Sequence, residues 1–171
     1  MEPREQSGTL TAIPVPSGEG DSLWTLGQLL TFKIHGEKSE TVGVLEIEVP
    51  PEGAAPPHLH PSQDETHCIL EGQFDFVPGD RRITAGPGSV VYVPRKTVHA
   101  HTNTGTEMGK IHFIEVPAGP FERFLEETGE SVTDPSSPQD LPPDMDKLQA
   151  SARRTGGVEI VAPPRKKVVP E

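Results

Sequence analysis

Short stretches in the middle of the chain alternate apolar and polar residues. The apolar positions of three such stretches are Leu30, Phe32 and Ile34, then Leu45, Ile47 and Val49, then Phe74 and Phe76. A period of two places alternate side chains on one face of a β-strand. Turn-forming residues separate the stretches at fairly regular intervals, so the pattern predicts an all-β fold of the double-sheet jelly-roll type.

One further stretch breaks this alternation. Residues 89–93, Ser-Val-Val-Tyr-Val, are apolar at four consecutive positions and follow a turn that contains Gly86 and Gly88. A continuous apolar run of this length is typical of a strand that is covered on both faces. We therefore expect residues 89–93 to form a strand that is mostly buried.

The hydrophobic period changes after the predicted barrel. Phe121, Phe124 and Leu125 lie at helical spacing, and a second short helix is predicted from Asp144 to Thr155, with Gly156 at its end. Pro, Ser and Asp residues between the two helices indicate an extended linker. The sequence thus predicts a flexible N-terminal segment (1–20), a β-barrel (21–118), a short packing helix (119–130), a Pro-rich linker (131–143), and a C-terminal helix and tail (144–171).

Four residues with metal-binding side chains fall at positions that such a barrel would bring together. His58 and His60 are separated by one residue, so on a strand both imidazoles face the same way. A polar, turn-prone loop follows and can return the chain so that Glu65 lies beside them, while His99 arrives from a later strand. We predict that His58, His60, Glu65 and His99 hold one metal ion inside the barrel.

The mixture of imidazole and carboxylate indicates which metals suit this site. Nitrogen ligands favour a divalent transition metal (iron, manganese, nickel, cobalt, copper or zinc), whereas calcium and magnesium prefer oxygen ligands alone. On a six-coordinate metal, four protein ligands leave two neighbouring positions for a chelating substrate, or for substrate and dioxygen together. A tetrahedral zinc ion with all four ligands bound would instead make the site closed and structural.

Two more histidines are predicted to line the same cavity. His67 and His101 each follow a proposed ligand by two residues, which places them on the same face of the strand, roughly 6.6 Å further along. They can hydrogen-bond to each other or to buried water, support a ligand, or relay a proton to substrate. Cys68 lies next to His67 and should face away from the ligands, as a packing residue.

The two histidine-bearing segments resemble the two sequence motifs of the cupin superfamily. The first motif has a glycine, His-x-His, a glutamate and a closing glycine, and the second has a glycine, a proline, a histidine and an asparagine. The matching residues are Gly53, His58, His60, Glu65 and Gly72, followed by Gly88, Pro94, His99 and Asn103. The resemblance is to small single-domain proteins related to quercetin dioxygenase, and it implies the cupin form of the jelly roll, a double-stranded β-helix with short C-terminal helices.

Two departures from the motifs bear on this resemblance. Gly53 stands one residue closer to His58 than the usual spacing, and Lys96 occupies the place of the middle glycine of the second motif. Neither residue is a ligand. Glycine at the second position normally permits a positive backbone φ, so Lys96 indicates either a different turn or modest local strain.

The resemblance implies a metal-dependent dioxygenase that acts on a small chelating aromatic or enolisable substrate of the flavonol type. Glu65 would help a substrate hydroxyl to lose its proton, either as a permanent ligand or after leaving the metal, and His67 and His101 are the other candidate catalytic residues. Cupins also include isomerases and epimerases, for which the same four ligands would serve. A non-catalytic module that binds metal and a small ligand is the third possibility.

The composition argues against nucleic-acid and membrane partners, so the partner that we expect is a small-molecule substrate. The chain has 171 residues and a net charge of −11, which repels phosphate, so we expect no nucleic-acid partner despite the basic residues 165–167. No apolar stretch approaches the ~20 residues needed to cross a bilayer, and no secretory signal is evident, so we expect a cytoplasmic protein without a membrane partner.

Jelly-roll sheets have edges that need cover, and the resembled family commonly pairs subunits, so we also expect a homodimer.

Overall fold

The computed structural model of the chain describes residues 12–39, 41–132 and 144–162. Twelve β-strands and three helices account for most of these residues. In chain order they are β1 (Asp21–Thr25), β2 (Gln28–Ile34), α1 (Gly36–Ser39), β3 (Gly43–Val49), β4 (Ala54–Leu59), β5 (Asp64–Glu71), β6 (Phe74–Phe76), β7 (Ile83–Ala85), β8 (Val90–Val93), β9 (His99–Asn103), β10 (Gly109–Val116), α2 (Pro120–Thr128), β11 (Glu130–Ser131), α3 (Met145–Thr155) and β12 (Glu159–Ile160).

The strands form two antiparallel sheets. The larger sheet has the order β11-β1-β2-β3-β10-β5-β8, and the smaller one has the order β12-β4-β9-β6-β7. This mostly-β arrangement of two antiparallel sheets confirms the predicted jelly-roll fold.

The predicted alternation places the core between the sheets. Leu45, Val49, Phe74, Phe76 and Ile111 are completely buried on the inward face of their strands. Across β3 and β10, Ile47 lies opposite Ile111. Burial of these large apolar side chains is the main favourable contribution to the stability of the barrel.

Strand β8 differs from the prediction. Val91 and Val93 are buried, but Val90 is 63% exposed and Tyr92 is 60% exposed. The expectation of a mostly buried strand was wrong, because β8 pairs with β5 at one end of the larger sheet and its outer face has no covering layer in the described part of the chain. An apolar run alone does not distinguish a covered strand from an edge strand with an exposed apolar face.

Helices α2 and α3 lie where helical periodicity occurs in the sequence. Helix α2 has proline at its start and buries Phe124 and Leu125. Helix α3 begins after Asp144, whose side chain accepts hydrogen bonds from two backbone N–H groups of the first turn, and ends at Gly156 with φ +67°. Both ends therefore follow ordinary capping chemistry.

The C-terminal part of the chain contains a strand that the sequence analysis missed. After α3 the chain forms β12, which pairs with β4 so that Glu159 lies opposite Leu59 and Ile160 lies opposite His58. A two-residue strand carries too little alternation to be read from sequence. Residues 1–11 of the predicted flexible segment, residues 133–143 of the predicted linker and the basic tail from residue 163 lie outside the described residues.

None of the helices within the described ranges has the length and apolar character that a membrane span requires.

Candidate metal centre

The four predicted ligands come from both sheets. His58 ends up opposite His99 on the paired strands β4 and β9, and His60 follows directly after β4. Glu65 projects inward from β5 in the other sheet. One ligand atom from each of the four side chains lies within 4.8 Å of all the others, so the cluster is compatible with one metal ion.

The outer ring nitrogens of the three histidines are fixed by backbone carbonyl oxygens. The Nδ1 atoms of His58 and His60 lie 2.7 Å from the carbonyl oxygens of Pro56 and Gly157, and that of His99 lies 3.0 Å from the oxygen of Thr97. Because a carbonyl only accepts, each Nδ1 carries the proton and donates it, which leaves each Nε2 with a free lone pair. This tautomer and orientation are what a metal-binding histidine requires.

Glu65 supplies the negative charge of the centre. Its carboxylate lies 2.9 Å from His99 Nε2 and 3.1 Å from His67 Nε2, and it also contacts His60 Nε2. Burial alone would raise the pKa of Glu65, but its close contacts with His60, His67 and His99 hold that pKa well below its usual range. Glu65 is therefore an anion, as a metal ligand must be.

Burial has the opposite effect on His58. Removal from water, together with the neighbouring His99 and His60, lowers the pKa of His58 well below its ordinary value. Burial also acts against the charge of His99, but the neighbouring Glu65 carboxylate raises the pKa of His99 overall. The residues fit a metal ion, because three imidazoles and one carboxylate converge here and His60 Nε2, His99 Nε2 and Glu65 Oε1 are buried without a hydrogen-bond partner.

His67 and His101 occupy the same interior, but they differ in their contacts. His67 hydrogen-bonds to Glu65, so it can hold that carboxylate in place. His101 is buried, and neither of its ring nitrogens has a hydrogen-bond partner. Burial and the neighbouring histidines lower the pKa of His101 to about 3, so its ring is neutral. The two rings, whose centroids are 5.8 Å apart, do not hydrogen-bond to each other.

The exposed Arg95 and the half-buried Asp64 hold the loop before His99 against the strand that carries Glu65. The Arg95 guanidinium donates to Asp64 at 2.9 and 2.7 Å, and the Arg95 backbone N–H donates to the same carboxylate. Next to Arg95, Lys96 has φ +66° and donates its N–H to the carbonyl oxygen of His60 at 2.8 Å. The missing glycine of the second motif therefore leaves a lysine in the left-handed region, which is the strained alternative that the sequence suggested.

An apolar cavity of about 80 Å³ lies beside the centre. His58, His67 and His101, together with Thr25 and Gln28, are its polar lining residues, and the remaining walls come from both sheets and from the C-terminal elements. Among the described residues no lysine or arginine lines it. The cavity is closed on one side by side chains of α2, α3 and the segment after α3: Phe121, Phe124, Leu125, Leu148, Val158 and Ile160.

A buried carboxylate pair near the centre escaped the sequence analysis. Glu115 lies opposite Glu65 across β10 and β5, and its carboxylate accepts a hydrogen bond from Gln63 at 2.5 Å. Burial, and then the charge of Glu122 from α2, raises the pKa of Glu115 to about 8. The signal for Glu115 was present, because it shares the inward parity of Ile111 and Phe113. The approach of Glu122 had no such signal, since it depends on how α2 packs.

Gly157 is a second residue that was missed. Its carbonyl oxygen is the partner of His60 Nδ1, although the two residues lie 97 positions apart in the chain. A backbone carbonyl leaves no mark on the sequence, so only the fold could have identified it.

Comparisons with known proteins agree with this fold. Residues 45–116 match the family model of the cupin domain. The Rhicadhesin receptor of Pisum sativum is 33% identical over 92 residues, which are 48% of this chain and 42% of that protein. Germin-like protein subfamily 2 member 2 of Arabidopsis thaliana is 33% identical over 90 residues, which are 47% of this chain and 41% of that protein. The matched region is thus less than half the length of these curated relatives.

Solved structures show the same fold at low identity. A predicted oxalate decarboxylase from Thermotoga maritima superposes with a TM-score of 0.57 and 17% identity, over 61% of this chain and 98% of that one. KdgF from Halomonas sp. superposes with a TM-score of 0.52 and 14% identity, over 57% of this chain and 87% of that one. At such identities the likeness concerns the fold alone.

The curated relatives include germin-like proteins, and neither relative named above is a quercetin dioxygenase, so the finer resemblance to quercetin dioxygenase stays a prediction. Fold, family match and site geometry nevertheless agree on the broader class. Residues 45–116 match the family model of the cupin domain, the fold is a jelly roll of the cupin type, and the His58, His60, Glu65 and His99 cluster is compatible with one metal ion.

Proposed function

We propose that the protein is a metal-dependent dioxygenase acting on a small, chelating aromatic or enolisable substrate. The observation that carries this proposal is the pairing of a three-histidine, one-carboxylate centre with an apolar cavity that no described lysine or arginine lines. An apolar wall favours an uncharged ring, and it gives no counter-charge to a phosphate or a second carboxylate. When bound, a divalent transition metal would supply charge stabilisation for a deprotonated substrate oxygen.

The side chains of the chain itself would perform the remaining tasks. Glu65 would accept the hydroxyl proton, because it is the carboxylate that reaches the ligand cluster in the described part of the chain. His67 would hold that carboxylate through its 3.1 Å hydrogen bond. His101 would offer a neutral ring nitrogen to a polar atom of the substrate, while the apolar walls exclude water from the ionised substrate.

The test is oxygen uptake by protein loaded separately with each candidate metal. Elemental analysis of protein purified without added metal comes first and shows which ion is bound. Catechols, acyclic enediols and flavonols are then supplied in turn, and with labelled dioxygen the products taken together should contain both atoms of one dioxygen molecule. Turnover of these substrates without oxygen consumption would instead indicate an isomerase or epimerase. Tight binding of ligand with no chemical change at all would indicate a non-catalytic module.

The size of the cavity favours small substrates over large ones among these compounds. A volume of about 80 Å³ holds several water molecules or one small ring, and it is too small for the three rings of a flavonol. A one-ring substrate fits the closed form, whereas a flavonol requires the C-terminal elements to move. We therefore expect single-ring compounds to be turned over more readily than flavonols.

Replacement of His101 by phenylalanine separates substrate contact from metal binding. The change keeps a flat ring at a buried site and removes both ring nitrogens, neither of which has a protein partner. We expect a full metal equivalent, an unchanged fold and a fall in kcat/KM of about 10²-fold, the lower range for a lost proton-transfer or hydrogen-bonding group. Steady-state kinetics and metal analysis check this, and unaltered kinetics would reduce His101 to a packing role.

We also propose that the protein forms a homodimer through the edge of the larger sheet. Val90 and Tyr92 are exposed on the outer face of β8, and Leu70, 38% exposed, lies on the neighbouring strand β5. An edge strand with an apolar outer face is a natural site for pairing with a second copy. Sedimentation at micromolar concentration should give twice the monomer mass, and Tyr92→Lys should give the monomer. A wild-type monomer would contradict the proposal.

A further inference from the structure

The segment that follows α3 closes the barrel beside the metal centre. We call residues 157–161 the C-terminal clasp. Ile160 of the clasp lies opposite His58 across β12 and β4, and the N–H of Val161 donates to the carbonyl oxygen of Pro57 at 2.9 Å. Val158 and Ile160 form part of the cavity wall. The clasp is therefore both the edge strand of the smaller sheet and a wall of the proposed substrate site.

The same segment also determines the orientation of one metal ligand. His58 and His99 donate their Nδ1 protons to carbonyls two residues earlier in their own strands, so their rings are set locally. His60 has no such local partner and donates to Gly157 at 2.7 Å. On its other side the His60 ring meets the edge of Phe121 from α2, with ring centroids 4.5 Å apart.

Position 157 has room for glycine alone. A Cβ there would overlap the backbone of Pro120 and Phe121 at the start of α2, and these backbone atoms cannot turn aside as a flexible side chain would. Gly156, the preceding residue, is different: a Cβ there would meet nothing within 4 Å, and its φ of +67° is a conformation that asparagine tolerates. The two adjacent glycines thus provide a test variant and a matched control.

We propose that the Gly157 carbonyl is a positioning group for His60, and that docking of the C-terminal clasp and metal binding strengthen each other. The closed clasp holds the His60 ring with Nε2 towards the other ligands. When the clasp leaves, the ring loses that restraint and the cavity opens at the same moment. By thermodynamic linkage, the factor by which the clasp raises metal affinity is the factor by which metal favours the closed clasp.

This coupling would link the opening of the cavity beside the metal centre to the strength of metal binding. A substrate too large for about 80 Å³ requires part of the cavity wall to move, and displacement of the clasp would both enlarge the cavity and loosen His60. Substrate entry and the strength of the metal centre would therefore be linked through one hydrogen bond. The inference rests on the metal centre of the proposed function, but it does not depend on any particular reaction.

The experiment compares the full-length wild type with Gly157→Ala and Gly156→Asn, using Co²⁺ as the probe. Partners of metal-bound histidines typically account for 10–100-fold in affinity, so we expect Gly157→Ala to weaken Co²⁺ binding by about 10-fold. Gly156→Asn should bind Co²⁺ as the wild type does. Far-UV circular dichroism and thermal unfolding of the metal-free proteins show whether the fold is kept.

Hydrogen exchange supplies the second readout, which a purely structural role would not change. In the wild type, saturating Co²⁺ should slow exchange of the Val161 amide by a similar factor of about 10, relative to amides of the central strand β3. In Gly157→Ala the same addition should have little effect. If Gly157→Ala does not fold, the wild-type exchange measurement decides alone.

Three results would overturn parts of this account, and they are distinguishable. Equal Co²⁺ affinity in a folded Gly157→Ala variant would remove the positioning role. A Val161 exchange rate that ignores Co²⁺ in the wild type would remove the coupling. Failure of the wild type to bind Co²⁺ or any other candidate metal would overturn the metal centre itself, and this inference with it.

Discussion

Replacing His99 with alanine is expected to abolish stoichiometric metal binding. The change removes one of three Nε2 donors and also the 2.9 Å contact to Glu65. Because the loss of an outer partner alone costs 10–100-fold, the loss of a direct ligand should lower Co²⁺ affinity by more than about 100-fold. Metal analysis after gel filtration, and titration with Co²⁺, measure the effect.

The matched control for this variant is His112→Ala. His112 lies on the outer face of β10, so it does not point into the barrel interior. Its Nε2 is 3.1 Å from a carboxylate oxygen of Glu46. This variant should retain a full metal equivalent. Retention of a full equivalent by His99→Ala as well would show that His99 is not a ligand, and the proposed function would lose its basis.

Replacing Glu115 with glutamine is expected to remove a large pH dependence of stability. The pKa of Glu115 is about 8 in the folded protein and near the ordinary 4.5 when the chain unfolds. Between these values the folded state holds a proton that the unfolded state releases, so the contribution of Glu115 is fully present below about pH 4.5 and is lost as the pH rises to 8. At ~1.4 kcal/mol per pKa unit, this pKa difference corresponds to a loss on the order of 5 kcal/mol.

Glutamine imitates the protonated acid in shape and in its hydrogen bonds. It can accept from Gln63 with its carbonyl oxygen and donate with its amide, so Glu115→Gln should fold and should be the more stable protein above pH 8. Urea unfolding of metal-free protein from pH 5 to pH 9 measures this. Glu71→Gln, at the exposed end of β5, makes the same charge change and should leave the pH profile as it is. A Glu115→Gln profile that falls as steeply as the wild-type profile would contradict the assignment.

Much of the fold could be predicted from local periodicity. Leu45, Ile47 and Val49 alternate with glutamates, and they face the core as expected because a strand must bury its apolar face. Asp144 and Gly156 marked the two ends of α3, because capping depends on residues adjacent in sequence. The prediction failed where burial depends on the neighbouring layer, and Val90 and Tyr92 of β8 are the example.

In the candidate site, too, residues fixed by local pattern could be predicted and residues fixed by packing could not. His58 and His60 could be placed on one face from their spacing, and the turn-prone loop and a later strand predicted that Glu65 and His99 join them. The same parity argument applies to Glu115, which alternates with outward-facing residues of its strand. From sequence alone, however, an acidic residue in a strand is predicted to face solvent, because its buried partner is not known. Glu122 and Gly157 depend on how the C-terminal elements pack on the barrel. Their contacts join residues 86 to 97 positions apart in the chain, as in the bonds from Gly36 to Glu122 and from His60 to Gly157.

The polar interior of the barrel has a consequence for attempts to engineer this protein. Five imidazoles and the Glu65 carboxylate are buried where other jelly-roll positions hold aliphatic or phenyl groups. Desolvating such groups is costly, and hydrophobic replacements of similar volume often increase thermostability. Directed evolution that selects for heat resistance alone is therefore expected to replace these histidines first and to yield a more thermostable barrel that no longer binds metal. Any such selection should be paired with a screen for retained metal.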